Sequence, residues 1–342
     1  MEKVLVVLLI VSGLQAKQQG ASIQDKCSVN RTNIYCNKET QRNPLDYIDE
    51  DVSNVDTIEI HNAKIDFTDD IFKKDQKLSG VSLLNATDNT IKRIGRRGFE
   101  KMHNIQFLYL SRNEITDAQP DPFMSLKRLK VLQMNDAFAA KADKEELIRN
   151  IFHSKNDFVH LSEIELKNNE LVDLHPKAFC GIEGLRRLEL SNNKFTELEF
   201  ARKCFADLKA LHLSNNLITK LPADLWEWMP SLTSLDISNN PIHCDCGLHQ
   251  LVRSDDISFL NQGNTLCASP EEVKGKSIFD LPKDFCAHDS ENHTFFKTVV
   301  LLIIAGGVIF AYRKYRTRMA MEPKVVGYHN IEHEQAVQPE FV

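Results

Sequence analysis

Apolar and polar residues follow one fixed order between Leu185 and Ile242, where a short pattern recurs three times. The copies are LRRLELSNNKF, LKALHLSNNLI and LTSLDISNNPI, spaced by roughly 24 residues. Counted from the first leucine, apolar residues stand at positions 1, 4, 6 and 11, and asparagine stands at position 9. The alternation at positions 4 and 6 predicts a short strand with one buried face. The asparagine amide suits a sharp turn, where it can bond unpaired backbone groups.

A single copy cannot bury its own apolar edge, so neighbouring copies must stack into a solenoid with a parallel sheet along its concave side. The pattern resembles the extracellular leucine-rich repeat family. This resemblance implies an α/β solenoid, a leucine-rich repeat horseshoe whose ends are closed by cysteine caps. The template also fits from Ile105 and Leu161, and more weakly from Val55, Leu78 and Leu129. We therefore expect about eight repeats over residues 55–242.

Two departures from the repeat carry structural predictions. The copy that begins at Leu78 reaches Asn89 only through a three-residue insertion. Between Leu129 and Leu161 the spacing is long, and apolar residues at helical intervals predict a helix over Lys141–Phe152 on the convex side. Aromatic residues that precede the strands should pack under the convex face; they are Phe99, Phe123 and Phe179.

The two ends of the chain predict export and membrane insertion. A charged start followed by a short apolar run fits a signal peptide at 1–16, cleaved near Ala16, with a buried helix as the alternative. Residues 295–312 are apolar apart from Lys297 and Thr298, and the basic residues that follow place the tail, 313–342, in the cytoplasm. The expected topology is a single-pass type I protein of the cell membrane with an extracellular ectodomain.

The eight cysteines of an exported chain are expected to be paired. Cys180 and Cys204 occupy equivalent positions of consecutive coils, within reach of a disulfide, with two unrelated buried thiols as the alternative. By resemblance to the family, Cys27 and Cys36 belong to an N-terminal cap, 27–54, that has two cysteines where the family commonly has four. The same resemblance implies the pairs Cys244–Cys267 and Cys246–Cys286 in a C-terminal cap, 243–286, before a stalk at 287–294. Zinc held by His243, Cys244, Cys246 and His249 is the rival interpretation.

Modification sites follow from short motifs. Sequons at Asn30, Asn85 and Asn292 predict a glycoprotein. In the tail, Tyr328-His329-Asn330 resembles a phosphotyrosine sequence that SH2-type adaptor domains bind. The tail is too small for a folded signalling domain, so a signal would leave through a cytoplasmic adaptor.

Composition narrows the function class. Lysine and arginine number 42 against 48 acidic residues, a balance that does not favour nucleic acid. No catalytic constellation and no cofactor motif stand out, so a binding protein is favoured over an enzyme. The chain resembles Toll-like ectodomains without the Toll-type cytoplasmic domain. It is predicted to be a receptor or co-receptor for a protein or microbial ligand, as in innate immunity, with a cell-adhesion protein as the alternative.

The outward positions of the concave strands predict the binding surface. Phe107, Tyr109 and Val131 should lie side by side as an exposed aromatic patch, open to a ligand or covered by a glycan on Asn85 or a nearby loop. Further along, an acidic stripe interrupted by Arg186 and Arg187 could receive a basic ligand or remain a mixed solvated surface. Its members are Glu163, Glu165, Glu189 and Asp236.

Overall fold

The chain divides into two compact units after Leu281. The computed structural model describes residues 27–30, 32–37, 52–69, 71–72, 77–152, 158–201, 204–222, 224–253 and 257–320. The expected signal peptide and Tyr328 lie outside these residues.

The first unit is built on an eleven-stranded sheet that is parallel except at its first strand, which forms an antiparallel hairpin with the second. Spatial order follows chain order because each coil of the solenoid returns to the same side. The strands are β1 (Ser28–Asn30), β2 (Asn33–Asn37), β3 (Thr57–His61), β4 (Leu83–Asn85), β6 (Phe107–Tyr109), β8 (Val131–Gln133), β9 (Glu163–Glu165), β10 (Arg187–Glu189), β11 (Ala210–His212), β12 (Ser234–Asp236) and β14 (Ser258–Phe259).

Four short strands pair away from this sheet. β5 (Arg93–Ile94) lies parallel to β7 (Asp117–Ala118), and β13 (Ile242–His243) lies parallel to β15 (Cys267–Ser269). Short helices occupy the chain between strands: α1 (Lys144–Ile151), α2 (Leu225–Trp228) and α3 (Cys246–Leu251), with 3₁₀ turns at Glu100–Met102, Gln262–Asn264 and Ile278–Asp280.

The recurring asparagine closes each coil against the one before it. In Asn193, Nδ2 donates to the carbonyl oxygens of Leu166 at 3.0 Å and Leu190 at 2.8 Å, while Oδ1 accepts from Asn169 N at 3.0 Å. The buried backbone groups of the turn are therefore satisfied within the solenoid. The residue before the asparagine is left-handed, as at Asn192 with φ 58°, which explains why short polar residues recur there.

The register of β4 corrects one prediction. Leu83 pairs with Thr57 and Phe107, so the repeat begins at Val81, which is buried, and reaches Asn89 without an insertion. Leu78 precedes the repeat, although it too is buried. As a result Leu83 lies at an outward position of the concave sheet.

The long repeat contains the predicted helix. Helix α1 spans Lys144–Ile151, and its buried face is formed by Leu147, Ile148 and Ile151. Asp143 begins it, because its carboxylate accepts a hydrogen bond from Glu146 N at 2.9 Å. The neighbouring coils here are 32 residues apart, against 24 between Asn169 and Asn193, and the helix accounts for the extra chain.

Aromatic residues fill the space beneath the convex side. Phe67 stacks on Phe99 at a ring-centroid distance of 4.7 Å, and Phe99 contacts Phe123 at 5.4 Å. A second run joins Phe152 to Phe179 at 4.9 Å and Phe179 to Phe205 at 6.2 Å. All of these rings are buried, so the aromatic residues that precede strands belong to the core.

Disulfides hold both ends and one internal position of the solenoid. The structure contains Cys27–Cys36, Cys180–Cys204 and Cys244–Cys267. Cys246 and Cys286 are disulfide-bonded as well, so none of the eight cysteines, all of which are described, is free. Because Cys244 and Cys246 are both bridged, neither is available to zinc.

The second unit contains helix α4, Ala287–Ala320. Among the described residues, no helix combines the length and apolar character needed to cross a membrane.

Candidate binding surface on the concave sheet

Two rows of outward side chains cross the concave sheet with one residue per strand, the first from β2 to β14 and the second from β2 to β12. We call them the Phe107 row and the Tyr109 row. The Phe107 row is Asn33, Thr57, Leu83, Phe107, Val131, Glu163, Arg187, Ala210, Ser234 and Ser258; the Tyr109 row is Tyr35, Glu59, Asn85, Tyr109, Gln133, Glu165, Glu189, His212 and Asp236. The Phe107 row changes from apolar at Val131 in β8 to charged at Glu163 in β9. In the Tyr109 row every residue after Tyr109 is polar or charged.

The apolar part is a contiguous patch. Leu83, Phe107 and Val131 are direct neighbours in the Phe107 row, and Tyr109 lies two residues from Phe107 on the same face. We call these four residues the apolar patch. Each of the four is half-buried. Phe107, Tyr109 and Val131 are therefore less exposed than predicted from the sequence.

Two residues of this surface escape the sequence prediction. A repeat that begins at Leu78 places Leu83 at position 6, in the core. Only a start at Val81 puts Asn89 at position 9 without an insertion, and that start places Leu83 at an outward position. Tyr35 lies in the N-terminal hairpin, at the head of the Tyr109 row, and is 43% exposed. Exposed and buried residues alternate along β2, and Tyr35 is one of the exposed ones. The cap sequence does not follow the repeat template, so the outward position of Tyr35 could not be predicted from it.

The charged part forms a network rather than an open acidic stripe. Arg187 Nε lies 3.0 Å from Glu163 Oε1, although its N–H is not directed at that oxygen, and Arg187 Nη2 lies 3.7 Å from Glu189 Oε2. His212 Nδ1 approaches Glu189 Oε2 to 3.2 Å. Arg186, the other basic residue, is exposed.

Glu189 differs most from its predicted role. It is buried, with 3% exposure, so it cannot present an acidic group to a ligand. Burial alone raises the pKa of Glu189, but hydrogen bonds from His212 and Ser191, with the charge of His212, outweigh it and hold that pKa below its usual range. The carboxylate is therefore an internal anchor of the sheet.

Glu165 and Asp236 are held by neutral groups. Glu165 Oε2 accepts from Gln133 Nε2 and Asn135 Nδ2, both at 2.7 Å, and within the described part of the chain Glu165 is in no ion pair. Asp236 is buried and accepts from Ser238 and from Asn261 Nδ2 at 2.7 Å. Of the predicted acidic stripe, Glu163 and Glu165 remain accessible.

Tyr109 lies between the two parts of the surface. Burial raises the pKa of Tyr109, and the nearby charges of Glu163 and Glu165 raise it further. The phenol is therefore protonated at neutral pH and able to donate a hydrogen bond. An apolar ring that carries one donor suits a protein interface.

A family model described as leucine rich repeat matches residues 79–136, 154–195 and 199–242. The match covers the repeats that form β4 to β12. The chain therefore contains leucine-rich repeats.

The chain is similar to several curated proteins over part of their length. It is 27% identical to human Toll-like receptor 5 over 64% of this chain and 26% of the receptor. It is 30% identical to mouse transforming growth factor beta activator LRRC32 over 48% of this chain and 24% of that protein. Chicken lumican is 28% identical over 48% of this chain and 52% of lumican. The chain thus spans a quarter to a half of these relatives.

Solved structures share the fold. The crystal structure of human 5T4 (Wnt-activated inhibitory factor 1, trophoblast glycoprotein) aligns with a TM-score of 0.64 at 19% identity, over 78% of this chain and 98% of that one. Mouse RP105, in its complex with MD-1, gives 0.55 at 17% identity over 68% of this chain and 38% of that one. Both likenesses concern the fold of the chain.

The two histidines of the rival zinc interpretation have other partners in the structure. No group of histidine, cysteine, aspartate or glutamate in the described residues could hold a metal ion. His243 Nδ1 lies 2.8 Å from Ser269 Oγ, and His249 Nε2 accepts from Arg253 Nε at 2.9 Å. These two histidines are thus bonded within the C-terminal cap.

Proposed function

We propose that this protein is a cell-surface receptor or co-receptor that binds a protein or microbial ligand on its concave sheet and acts through partners. The observation that carries the proposal is the apolar patch. Aromatic side chains dominate the energy of protein interfaces when they lie near the centre of a contact. Phe107 and Tyr109 are half-buried on a rigid sheet, so a partner can cover them with little loss of conformational entropy.

The surroundings of the apolar patch favour a protein partner. Gln133 and Glu165 follow Tyr109 in the same row, which provides polar groups at the border of an apolar centre, the usual arrangement of an interface. The relatives include proteins named as a receptor and as an activator of a growth factor. Those names support an interaction role and not an enzymatic one.

We propose a type I membrane topology, in which the ectodomain is extracellular and the tail is cytoplasmic. The proposed segments are a signal peptide at 1–16, an N-terminal cap at 27–54, repeats over 55–242, a C-terminal cap at 243–286, a stalk at 287–294, a membrane helix at 295–312 and a tail at 313–342. Apolar side chains of α4 support the anchor, because Leu302 and Phe310 are 71% and 70% exposed. An apolar surface of that kind needs a cover, and lipid is the cover we propose.

The proposed span runs from Phe295 to Tyr312. Helix α4 continues beyond it into Arg313, Lys314 and Arg316, and these charges belong at the cytoplasmic border of the membrane and not within an apolar span.

The experiment that tests the function uses the full-length protein on intact cells. Surface cross-linking followed by mass spectrometry identifies its neighbours, and two differently tagged copies report self-association. Replacing the two rings by Phe107→Ala with Tyr109→Ala should reduce capture of a heterologous neighbour by more than roughly tenfold, since truncating an interface centre costs about 2 kcal/mol or more. Surface level and thermal stability should stay nearly unchanged.

The matched control is Ser234→Ala with Ser258→Ala, at the charged end of the same sheet. Equal capture by both double variants would place the contact elsewhere and overturn the proposal. Predominant capture of a second copy of this chain on an opposing cell would instead favour the adhesion function.

The tail offers a route for the signal. We propose that phosphorylated Tyr328 binds an SH2-type adaptor, because phosphate supplies about two negative charges for an arginine pocket and Asn330 follows two residues later. A synthetic tail peptide phosphorylated at Tyr328 should retain SH2 domains from lysate, and Asn330→Ala should abolish that binding. Retention of the same proteins by the unmodified peptide would remove the tail as a switch.

A further inference from the structure

The sequon Asn85-Ala86-Thr87 begins within strand β4 and so lies on the concave sheet. Asn85 is half-buried and is the in-register partner of Tyr109, and Ala86 N donates to Tyr109 O at 2.8 Å. Strands of a sheet are about 4.8 Å apart, so a group attached to Asn85 lies beside the Tyr109 ring. Leu83, two residues earlier, faces the same side.

The two atoms of the Asn85 amide have different surroundings. Oδ1 accepts a hydrogen bond from Thr87 N at 3.1 Å, which fixes the amide plane and turns Nδ2 away from Thr87. Within the described residues Nδ2 makes no hydrogen bond. The amide nitrogen is therefore the free edge of the side chain, and it is the atom to which an oligosaccharide is linked.

We propose that Asn85 carries an N-linked oligosaccharide whose first sugar covers Leu83 and Tyr109 and so limits access to the apolar patch. In the transfer, Asn85 Nδ2 bonds to the anomeric carbon of an oligosaccharide donated by a polyisoprenyl pyrophosphate. The bond from that carbon to the phosphate oxygen breaks, the lipid pyrophosphate leaves, and the amide loses one proton. The transfer occurs before β4 packs, when Nδ2 is accessible.

A sugar at this place gives a cover to part of the apolar patch on a concave face that carries mostly polar groups elsewhere. The C–H face of a pyranose can pack on the Tyr109 ring and remove apolar area from water. The patch then has a covered side, at Leu83 and Tyr109, and an open side, at Val131. This inference deepens the proposed function, since a partner must approach from the open side or tolerate the sugar.

The experiment uses the full-length chain produced in eukaryotic cells. Enzymatic release of N-glycans in heavy-oxygen water, followed by peptide mapping, should convert Asn85 to labelled aspartate. Hydroxyl-radical footprinting should then show a several-fold rise in Tyr109 oxidation in Asn85→Gln relative to the wild type. Asn30→Gln, which removes the sequon of the N-terminal hairpin, should leave Tyr109 oxidation unchanged, and Tyr35 serves as an exposed reference.

A second comparison uses only the wild-type sequence, so that a folding defect of Asn85→Gln cannot account for the result. Trimming the wild-type glycan to its first sugar should keep Tyr109 protected, whereas complete enzymatic removal should expose it. An unmodified Asn85, or equal Tyr109 oxidation with and without the glycan, would overturn the inference. Neither result bears on whether the apolar patch binds a partner, which the Phe107→Ala and Tyr109→Ala variant tests separately.

Discussion

At the scale of single residues, Glu189 acts as part of the fold. Its carboxylate lies at an outward position, yet Arg187 of the same strand and His212 of the neighbouring strand β11 cover it. Ser191 N donates to Glu189 Oε1 at 3.0 Å. Loss of the charge would leave buried donors without their acceptor, and hydrogen bonds to charged groups contribute roughly 1.5–3 kcal/mol each.

This arrangement predicts a pH dependence of stability. Because the pKa of Glu189 is lower in the folded chain than in the unfolded chain, its contribution is complete above the unfolded value, about 4.3, and is lost as pH falls through the folded value. Glu189→Gln should therefore lower the unfolding temperature at pH 7 and flatten its decline below pH of about 4, as measured by differential scanning fluorimetry. The exposed Glu114→Gln should preserve the wild-type curve; if Glu189→Gln does so too, the network contributes nothing.

The sequence could predict the asparagine at position 9 but not the burial of Glu189. Asn193 bonds backbone groups of its own and adjacent coils, a role fixed by the local turn. The exposure of Glu189 depends on which long side chains stand beside it, here Arg187 on its own strand and His212 on the next, and periodicity does not encode that. For the same reason the sequence gives the identity of the aromatic patch residues more accurately than their exposure.

At the scale of elements, register decides which residues reach the surface. Leu78 and Val81 are three residues apart, as are positions 1 and 4 of the repeat, so the apolar pattern alone allows two alignments. Backbone packing between coils separates them. Helix α1, by contrast, has an unambiguous apolar face and lies within the predicted Lys141–Phe152.

Close packing between coils makes one glycine indispensable. A Cβ added at Gly98 would lie 2.1 Å from Phe67 O, whereas one added at Gly184 would lie 3.8 Å from Val159 O. Gly98→Ala should therefore destabilise the protein by about 1–3 kcal/mol, the usual cost of overpacking, and Gly184→Ala should change little. Urea unfolding of the two variants compares their stabilities directly. Equal midpoints would show that the packing around Gly98 can accommodate a methyl group.

At the scale of the whole molecule, the concave sheet carries an apolar patch on β4, β6 and β8 and a charged network on β9 to β11, while phenylalanine rings fill the space beneath the convex side. The parallel solenoid could be predicted from the repeated pattern, and the Cys180–Cys204 bridge from equivalent positions in consecutive coils. The cysteine pairs of the two caps were implied by the family resemblance. The border between the apolar patch and the charged network could not be predicted, since it depends on the alignment of the strands from β3 to β9.

The membrane topology can be tested on intact cells. Protease added outside should destroy an epitope inserted in the repeats and leave one at the C-terminus intact, because residues 313–342 are expected in the cytoplasm. Permeabilised cells, in which both epitopes should be lost, provide the control. Protection of the repeat epitope would contradict the type I orientation.

The bridge between Cys180 and Cys204 has a mechanical consequence. A solenoid held between a membrane and a distant partner carries tension along its axis, and its coils can peel away singly because each contacts only its neighbours. The bridge closes a segment with a sequence separation of 24, which cannot lengthen while the bond is intact. Force–extension curves of the oxidised wild type should therefore end about 80 Å short of those of an oxidised Cys180→Ser, Cys204→Ser variant, at 3.3–3.6 Å per extended residue.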